Sequence, residues 1–445
     1  MQGLSRPTRT APQDLLSIWN AALQRDPIYA AARAQRNADQ EKVPQARARL
    51  LPYITAGTAA ELDNTRRLQD MQQGATNRRA RWALTLTQPI IDFSNWDRLK
   101  QSEFFASSAD LGAQQAYQDL ILRVAQTYFD VLAAQDSLQT LLAQKQAVAT
   151  QLRAAKKGFE LGSKTITDTY EAQSRLDLLN AAELQARNTL RVSNDRLAQI
   201  TSEHPGALVG LAADTPLPAP QPNALGSWTA QAAQANLTVA RARLAARIAE
   251  TQIDIAKNSH APTLSLYAQT GSASDRGTYG VQSGPRSLDT AVGLQLSIPI
   301  YSGGEISSQV REHTSRLMQA RYDLEAARRQ AVQSTQQYFS GVTSGLAQIQ
   351  SLQAAEKSSR ASLEANRTGY EIGVRVNIDV LNAQQQLYET QRALFRTRYD
   401  TLMHSLRLKA SSGILTETDI VAINQLLESE SGRGGLGGRN KTIKD

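Results

Sequence analysis

The residues with the most chemical content lie in two short runs of one design. The first is Gly158-Phe159-Glu160-Leu161-Gly162, followed by Lys164 and Asp168. The second is Gly369-Tyr370-Glu371-Ile372-Gly373, followed by Arg375 and Asp379. Glycine tolerates the left-handed backbone found just past a helix end, so each glycine pair reads as a helix stop. The aspartates that follow read as N-caps of returning helices, and Asp168-Thr169-Tyr170-Glu171 as a capping-box variant. Lys164 reads as a solvated charge at a helix end. None of this is bond-making chemistry. The four histidines, His204, His260, His313 and His404, are scattered and lack metal-ligand spacing. There is no G-x-S-x-G elbow and no dinucleotide fingerprint, and Gly162-Ser163-Lys164 lacks the glycine spacing of a phosphate loop. The chain has no Cys, which excludes thiol catalysis, disulfides and Cys–zinc sites. The sequence therefore predicts no enzyme, no cofactor and no metal.

The elements that must position these runs form a tandem repeat. Leu51-Pro52-Tyr53-Ile54 recurs 210 residues on as Ala261-Pro262-Thr263-Leu264, and Tyr128-Phe129 recurs at the same offset as Tyr338-Phe339. The two glycine runs are 211 apart. Each copy opens with a helical stretch (about 14–49 and 227–259) that Pro52 and Pro262 end. A strand follows, then a polar loop (63–81 and 271–289), then a second strand. Val292, Leu294, Leu296, Ile298 and Ile300 alternate with Gly293, Gln295 and Ser297, the period of a half-buried strand. Trp82, Leu84 and Leu86 likewise face away from Thr85 and Thr87. Pro89 and Pro299 mark the crossing into helices spanning about 94–157 and 305–368, roughly 90–100 Å each at the α-helical rise. The expected division is a flexible N-terminus (1–13), a first repeat (14–202), a Pro-rich linker (203–226), a second repeat (227–430) and a disordered tail (431–445).

No stretch reaches the ~18–20 apolar residues of a membrane-spanning helix. Residues 1–12 are polar and basic and show no signal core. Yet four strands with one aliphatic face cannot close a barrel alone, and an open sheet edge cannot sit in lipid. Sharing strands among three copies gives a twelve-stranded barrel. Tyr53, Trp82, Phe93, Trp96, Tyr267 and Tyr301 are expected near the strand ends, at the membrane interface. The competing readings are a soluble α+β protein with an ordinary sheet, and a coiled-coil scaffold or basic nucleic-acid binder. The charge of +8, from 49 basic and 41 acidic residues, gives the last some weight. Against it, the basic residues are dispersed and not interleaved with aromatics, so no nucleic-acid partner is expected.

The repeated order of elements resembles the TolC family of outer-membrane channels. The specific matches are the two glycine runs with Asp168 and Asp379, Val374 to Ala383, Gln88-Pro89-Ile90-Ile91, Ile298 to Gly304, and Gly413-Ile414-Leu415-Thr416. The resemblance spans about 14–430. It implies a mainly α, α+β fold: a homotrimer whose twelve-stranded transmembrane β-barrel continues as a periplasmic α-helical barrel. It implies residence in the outer membrane of a Gram-negative bacterium, in contact with its lipid. The absent lipid-anchor Cys makes the chain more similar to type I secretion channels, with cyclolysin and haemolysin exporters as the first expectation. The implied partners are a periplasmic adaptor, an inner-membrane ABC transporter and an exported polypeptide, a toxin. The alternative is a drug-efflux channel of the same architecture.

By the same resemblance, Asp379 matches the acidic ring of the tunnel constriction. The family's second acidic position is Asn382 here, a departure that implies a less negative constriction. Arg375 and Tyr370 match positions whose polar links hold neighbouring helices closed, with Asp168 as partner across a helix boundary. Grooves beside Gly158, Leu161, Gly162, Gly369, Ile372 and Gly373 would receive the adaptor's helical hairpins.

Overall fold

The computed structural model describes residues 12–65, 75–212, 215–277 and 287–428. Its elements run α1 (Leu15–Arg25), α2 (Pro27–Gln40), α3 (Lys42–Ala48), β1 (Tyr53–Thr65), β2 (Ala75–Ile91), α4 (Phe93–Glu160), α5 (Ile166–Thr201), α6 (Leu225–Ala235), α7 (Leu237–Asn258), β3 (Thr263–Gly277), β4 (Ser287–Ser297), α8 (Glu305–Glu371), α9 (Asn377–Ser411) and α10 (Glu417–Glu428). The chain forms two units. One is built from Met1–Arg33, Ala113–Val239 and Ala327–Asp445, the other from Ala34–Gly112 and Ala240–Ala326. Among the described residues, no helix is long and apolar enough to cross a membrane.

The stretches expected as single opening helices are broken. Asp26 ends α1, and its carboxylate accepts the amide of Tyr29 at 2.7 Å to start α2 at Pro27. Asn236, 210 residues on, does the same between α6 and α7 by accepting from Thr238 and Val239. One side chain thus caps the second helix of each pair.

The second unit holds one antiparallel sheet of order β1-β2-β3-β4. Its strands reach further than the side-chain alternation predicts. Residues 63–65, 75–81, 271–277 and 287–289, expected as loop, are strand, and the middles of both loops lie outside the described residues. The reason is that ladder hydrogen bonds come from the backbone and need no apolar face. Trp82 consequently falls mid-strand and not at an end. Pro89 also falls inside β2, where the register slips between Pro89 and Ile91, since proline has no N–H to give the ladder. In the other copy β4 stops at Ser297, so Ile298 and Ile300 lie beyond the strand.

The register gathers the aliphatic side chains of all four strands on one face, together with Thr58, Thr270 and Ser272. Trp82, Leu84 and Leu86 stand opposite Thr58, Ala56 and Ile54 of β1 and Ser272, Thr270 and Ala268 of β3. Leu264, Leu266 and Ala268 in turn oppose Leu296, Leu294 and Val292 of β4. The other face carries Thr55, Thr85, Gln269 and Gln295. Within the chain the large apolar side chains of this sheet are uncovered: Ile54, Trp82, Leu84, Val292, Leu294 and Leu296 are all exposed. Beneath the sheet, Gln88 donates to the carbonyl of Leu50 at 2.7 Å, and Asn258 donates to Asp97 at 2.5 Å.

The first unit has a conventional core. Leu15, Trp19, Leu120, Val124, Tyr128, Phe129, Leu197, Tyr399, Leu406 and Ile420 are buried in one cluster. Tyr128 donates to the carbonyl of Val209 at 2.7 Å, and buried Arg398 donates to the carbonyls of Ala212 and Thr215. Both pin the Pro-rich segment to the helices. Gln13 joins the same segment through a parallel bridge with Leu208.

Candidate functional site

The two glycine runs end α4 and α8 with the same hydrogen bonds. Ser163 N–H donates to Gly158 O at 2.8 Å and Gly162 N–H to Phe159 O at 2.9 Å. Val374 N–H donates to Gly369 O at 2.9 Å and Gly373 N–H to Tyr370 O at 3.2 Å. This pair of bonds is the Schellman motif. Gly162 and Gly373 take the left-handed conformation, at φ +71° and +85°. Gly158 and Gly369 remain inside their helices, so they are not the residues past the end. Their role is a close approach. A Cβ on Gly158 would meet Lys164 Cγ at 2.5 Å, and one on Gly369 would meet Arg375 Cγ at 2.7 Å.

The returning helices start earlier than the aspartates suggest. Thr165 is the N-cap of α5, accepting from Asp168 N–H, while Asp168 accepts from Thr165 N–H at 3.1 Å. The reciprocal box is therefore Thr165-x-x-Asp168, with Asp168 three residues into the box. In the second copy Val376 is the N-cap and offers no side-chain acceptor. Asp379 lies in the first turn of α9, where its charge suits the helix N-terminus, and it faces Arg375 at 3.7 Å.

Lys145 Nζ meets Glu183 at 2.6 Å, which lays α5 back along α4. Gln391 donates to Glu356 at 2.8 Å, joining α9 to α8. The two hairpins meet at their tips through polar groups. Asn377 is fully buried; it donates to Asp168 O at 3.1 Å and accepts from Gln151 at 2.8 Å. Arg175 donates to Asn382 at 3.3 Å. Lys164 lies over the Tyr370 ring, 3.8 Å from its centroid, and donates to the Tyr370 carbonyl at 3.3 Å. Behind this seam, Leu141, Val148, Leu152, Ala172, Leu179 and Leu381 form a small apolar cluster.

Of the residues singled out in the sequence, Tyr370, Asp168 and Asn382 take part in this seam. The Tyr370 ring is buried, and its hydroxyl has no hydrogen-bond partner among the described residues. Burial, and then the nearby Asp168 carboxylate, push the phenol above its ordinary pKa of 10.0. Within one chain Arg375 turns to Asp379, and Asp168 turns to Thr165. Leu161 and Ile372 project from the tips and are exposed. Sequence reasoning missed Thr165, Gln151 and Asn377, and it read Lys164 as solvated where the structure sets it on Tyr370. Thr165 was readable from its spacing to Asp168. Among the described residues no cluster could hold a metal ion.

Comparison with known proteins adds identity to this geometry. The family model "Outer membrane efflux protein" matches residues 18–203 and 228–414. The chain is 33% identical to outer membrane protein TolC of Escherichia coli over 424 residues, covering 93% of this chain and 85% of that protein. It is 30% identical to the alkaline protease secretion protein AprF of Pseudomonas aeruginosa, covering 91% and 85%. Its fold is similar to the CmeC outer membrane channel of Campylobacter jejuni, with a TM-score of 0.78 at 16% identity over 96% of this chain and 94% of that one. Matched over both repeats, the chain belongs to the TolC family, and it is an outer-membrane efflux or secretion channel.

Proposed function

We propose that the protein is the outer-membrane exit duct of a type I secretion system and passes a polypeptide outward through a gated trimeric tunnel. The observation that carries this reading is the sheet: among the described residues, four strands, one face that gathers the aliphatic side chains, and outer strands β1 and β4 that each pair on one side only. Backbone groups on those edges need partners in lipid. Pairing β1 of one copy with β4 of the next, three times, satisfies them in a twelve-stranded barrel whose apolar face meets the membrane. The two repeats, 14–202 and 227–430, then contribute equivalent hairpins to a periplasmic helical tunnel. Its entrance is ringed by Asp379 and Asn382, with Arg375, Tyr370 and Asp168 in the links that keep it shut. Like-charged rings at a narrow axis favour cations.

The duct holds no energy source. Opening comes from an inner-membrane ABC transporter and a periplasmic adaptor whose helices pack beside Gly158, Leu161, Gly162, Gly369, Ile372 and Gly373. A polypeptide cargo is supported by the likeness to a relative named for alkaline protease secretion, covering 91% of this chain. The word "efflux" in the family description supports small molecules as the second reading. The test is complementation of a strain that lacks its own channel but retains a type I transporter and adaptor. Appearance of the cargo outside the cell is the expected result. Restored drug extrusion without protein export would favour the second reading.

A further inference from the structure

We propose that a basic cavity beneath the sheet is an anion station on the tunnel wall, where carboxylates of the exported polypeptide are held at the foot of the barrel. The inference rests on the trimeric duct reading above. The cavity, of about 330 Å³, lies between α3, the start of α4 and the end of α7, all in the second unit. α3 leads into β1, β2 into α4 and α7 into β3, so the cavity sits directly below the strands. Its lining includes Lys42, Arg49 and Arg98 and no aspartate or glutamate.

The three cations are not equivalent. Lys42 meets Asp39 at 2.7 Å and lies 5.4 Å from the Phe105 ring centroid. Arg98 donates one N–H to the neutral Asn95 Oδ1 at 2.9 Å. Arg49 has no carboxylate partner among the described residues. With Asp39 set against Lys42, two uncompensated guanidinium groups per subunit line the cavity, six in a trimer. Guanidinium groups bind carboxylates through paired N–H donors. Gln101 donates to the Ile248 carbonyl at 3.1 Å and to Gln252 Oε1 at 2.8 Å. That leaves the Gln252 amide N–H groups without an acceptor among the described residues, a further donor for an anion.

The helix period sets the side on which the cavity opens. Phe93 and Trp96, in the first turn of α4, are exposed and meet edge to face with centroids 5.8 Å apart. Aromatic rings at a strand end mark the membrane interface. Arg98, Gln101 and Phe105 follow the i, i+3, i+7 spacing of one face. At about 100° per residue, that face is turned roughly half a circle from Phe93, Trp96 and Lys100. With the aromatic face toward lipid, the cavity opens on the lumen, where a passing polypeptide and not a lipid headgroup reaches it. Cations without paired acids select its acidic segments. The charge is opposite in sign to that of Asp379 at the entrance.

The test uses purified protein of trimeric mass in phosphatidylcholine nanodiscs, titrated with hexaglutamate carrying an uncharged dye and followed by anisotropy. Hexaglutamate is expected to bind and hexaglutamine is not. Raising the salt from 0.1 to 1 M should weaken binding, as the screening length falls from about 10 Å to about 3 Å. Arg49→Gln combined with Arg98→Gln should weaken it by about 5- to 30-fold, the range for losing one or two exposed ion pairs. Arg49→Lys with Arg98→Lys should retain most of the affinity, and Lys100→Gln, on the opposite face, all of it. No binding to the trimer, or wild-type affinity in the double glutamine variant, overturns the proposal. In phosphatidylglycerol nanodiscs the affinity should be unchanged. Loss of peptide binding there to the same extent as in the double glutamine variant places the cavity among headgroups and overturns the proposal as well. The duct reading fails by a different observation: complementation without export, while hexaglutamate still binds the trimer.

Discussion

Asn377→Ala should loosen the hairpin tips without unfolding the helices behind them. Asn377 is fully buried and makes two hydrogen bonds, one to the Asp168 carbonyl and one from Gln151. Each is worth about 0.5–1.5 kcal/mol, and stranding a buried partner adds about 1–3 kcal/mol. Gln151 is only half-buried and regains water, so roughly 2 kcal/mol per subunit is expected. That corresponds to about a 30-fold shift in a local opening equilibrium. Leu381→Ala, in the apolar cluster behind, should cost more, about 2–5 kcal/mol, because it leaves a cavity. Hydrogen exchange distinguishes the two. In Asn377→Ala the amides of the first turns of α5 should exchange about 30-fold faster, while those around Tyr128 keep their protection. Unchanged exchange at α5, or an equal loss around Tyr128, would refute the idea that a polar seam ties the tips independently of the core.

Asp379→Ala should weaken the cation preference of reconstituted channels, read as a shift in reversal potential under a salt gradient; no shift removes Asp379 from the constriction. Gly162→Ala and Gly373→Ala should each destabilise by about 1–2 kcal/mol, seen as lower melting temperatures, because both glycines hold positive φ. Acid should weaken the helical unit through His404. Burial first, and then Arg407, lower its pKa below 6.5 against the opposing pull of Asp400. Its Nδ1 is buried without a hydrogen-bond partner among the described residues, beside the Tyr338 ring. A depressed histidine favours the folded state above pH 6.5 and loses that contribution as the pH falls from there through the folded value. His404→Phe should flatten the fall in melting temperature on acidification over that range; an unchanged slope would exonerate His404.

The long helices were legible because no proline falls between Pro89 or Pro299 and the glycine run that ends each; the second, expected to end near Thr368, ends at Glu371. The strand tops were not, since past Trp82 the pattern that marks a half-buried strand gives way to polar residues while the backbone ladder continues. The helix breaks at Asp26 and Asn236 were written in the sequence as a polar residue recurring 210 positions apart, one of them before a proline, but a single capping side chain is easily lost inside a helical stretch. Lys164 was misread as solvated because its contact with Tyr370 joins residues 206 apart, and only the fold brings them together. Gln151 and Asn377 escaped for the same reason, being 226 apart.

The account stands on β1 of one copy pairing with β4 of the next. An electron cryo-microscopy map of the protein in lipid nanodiscs tests this most directly. It should show three chains sharing one twelve-stranded barrel with the Leu84 and Leu294 side chains toward lipid. A sheet that remains four-stranded, or whose outer strands pair within their own chain, would contradict it.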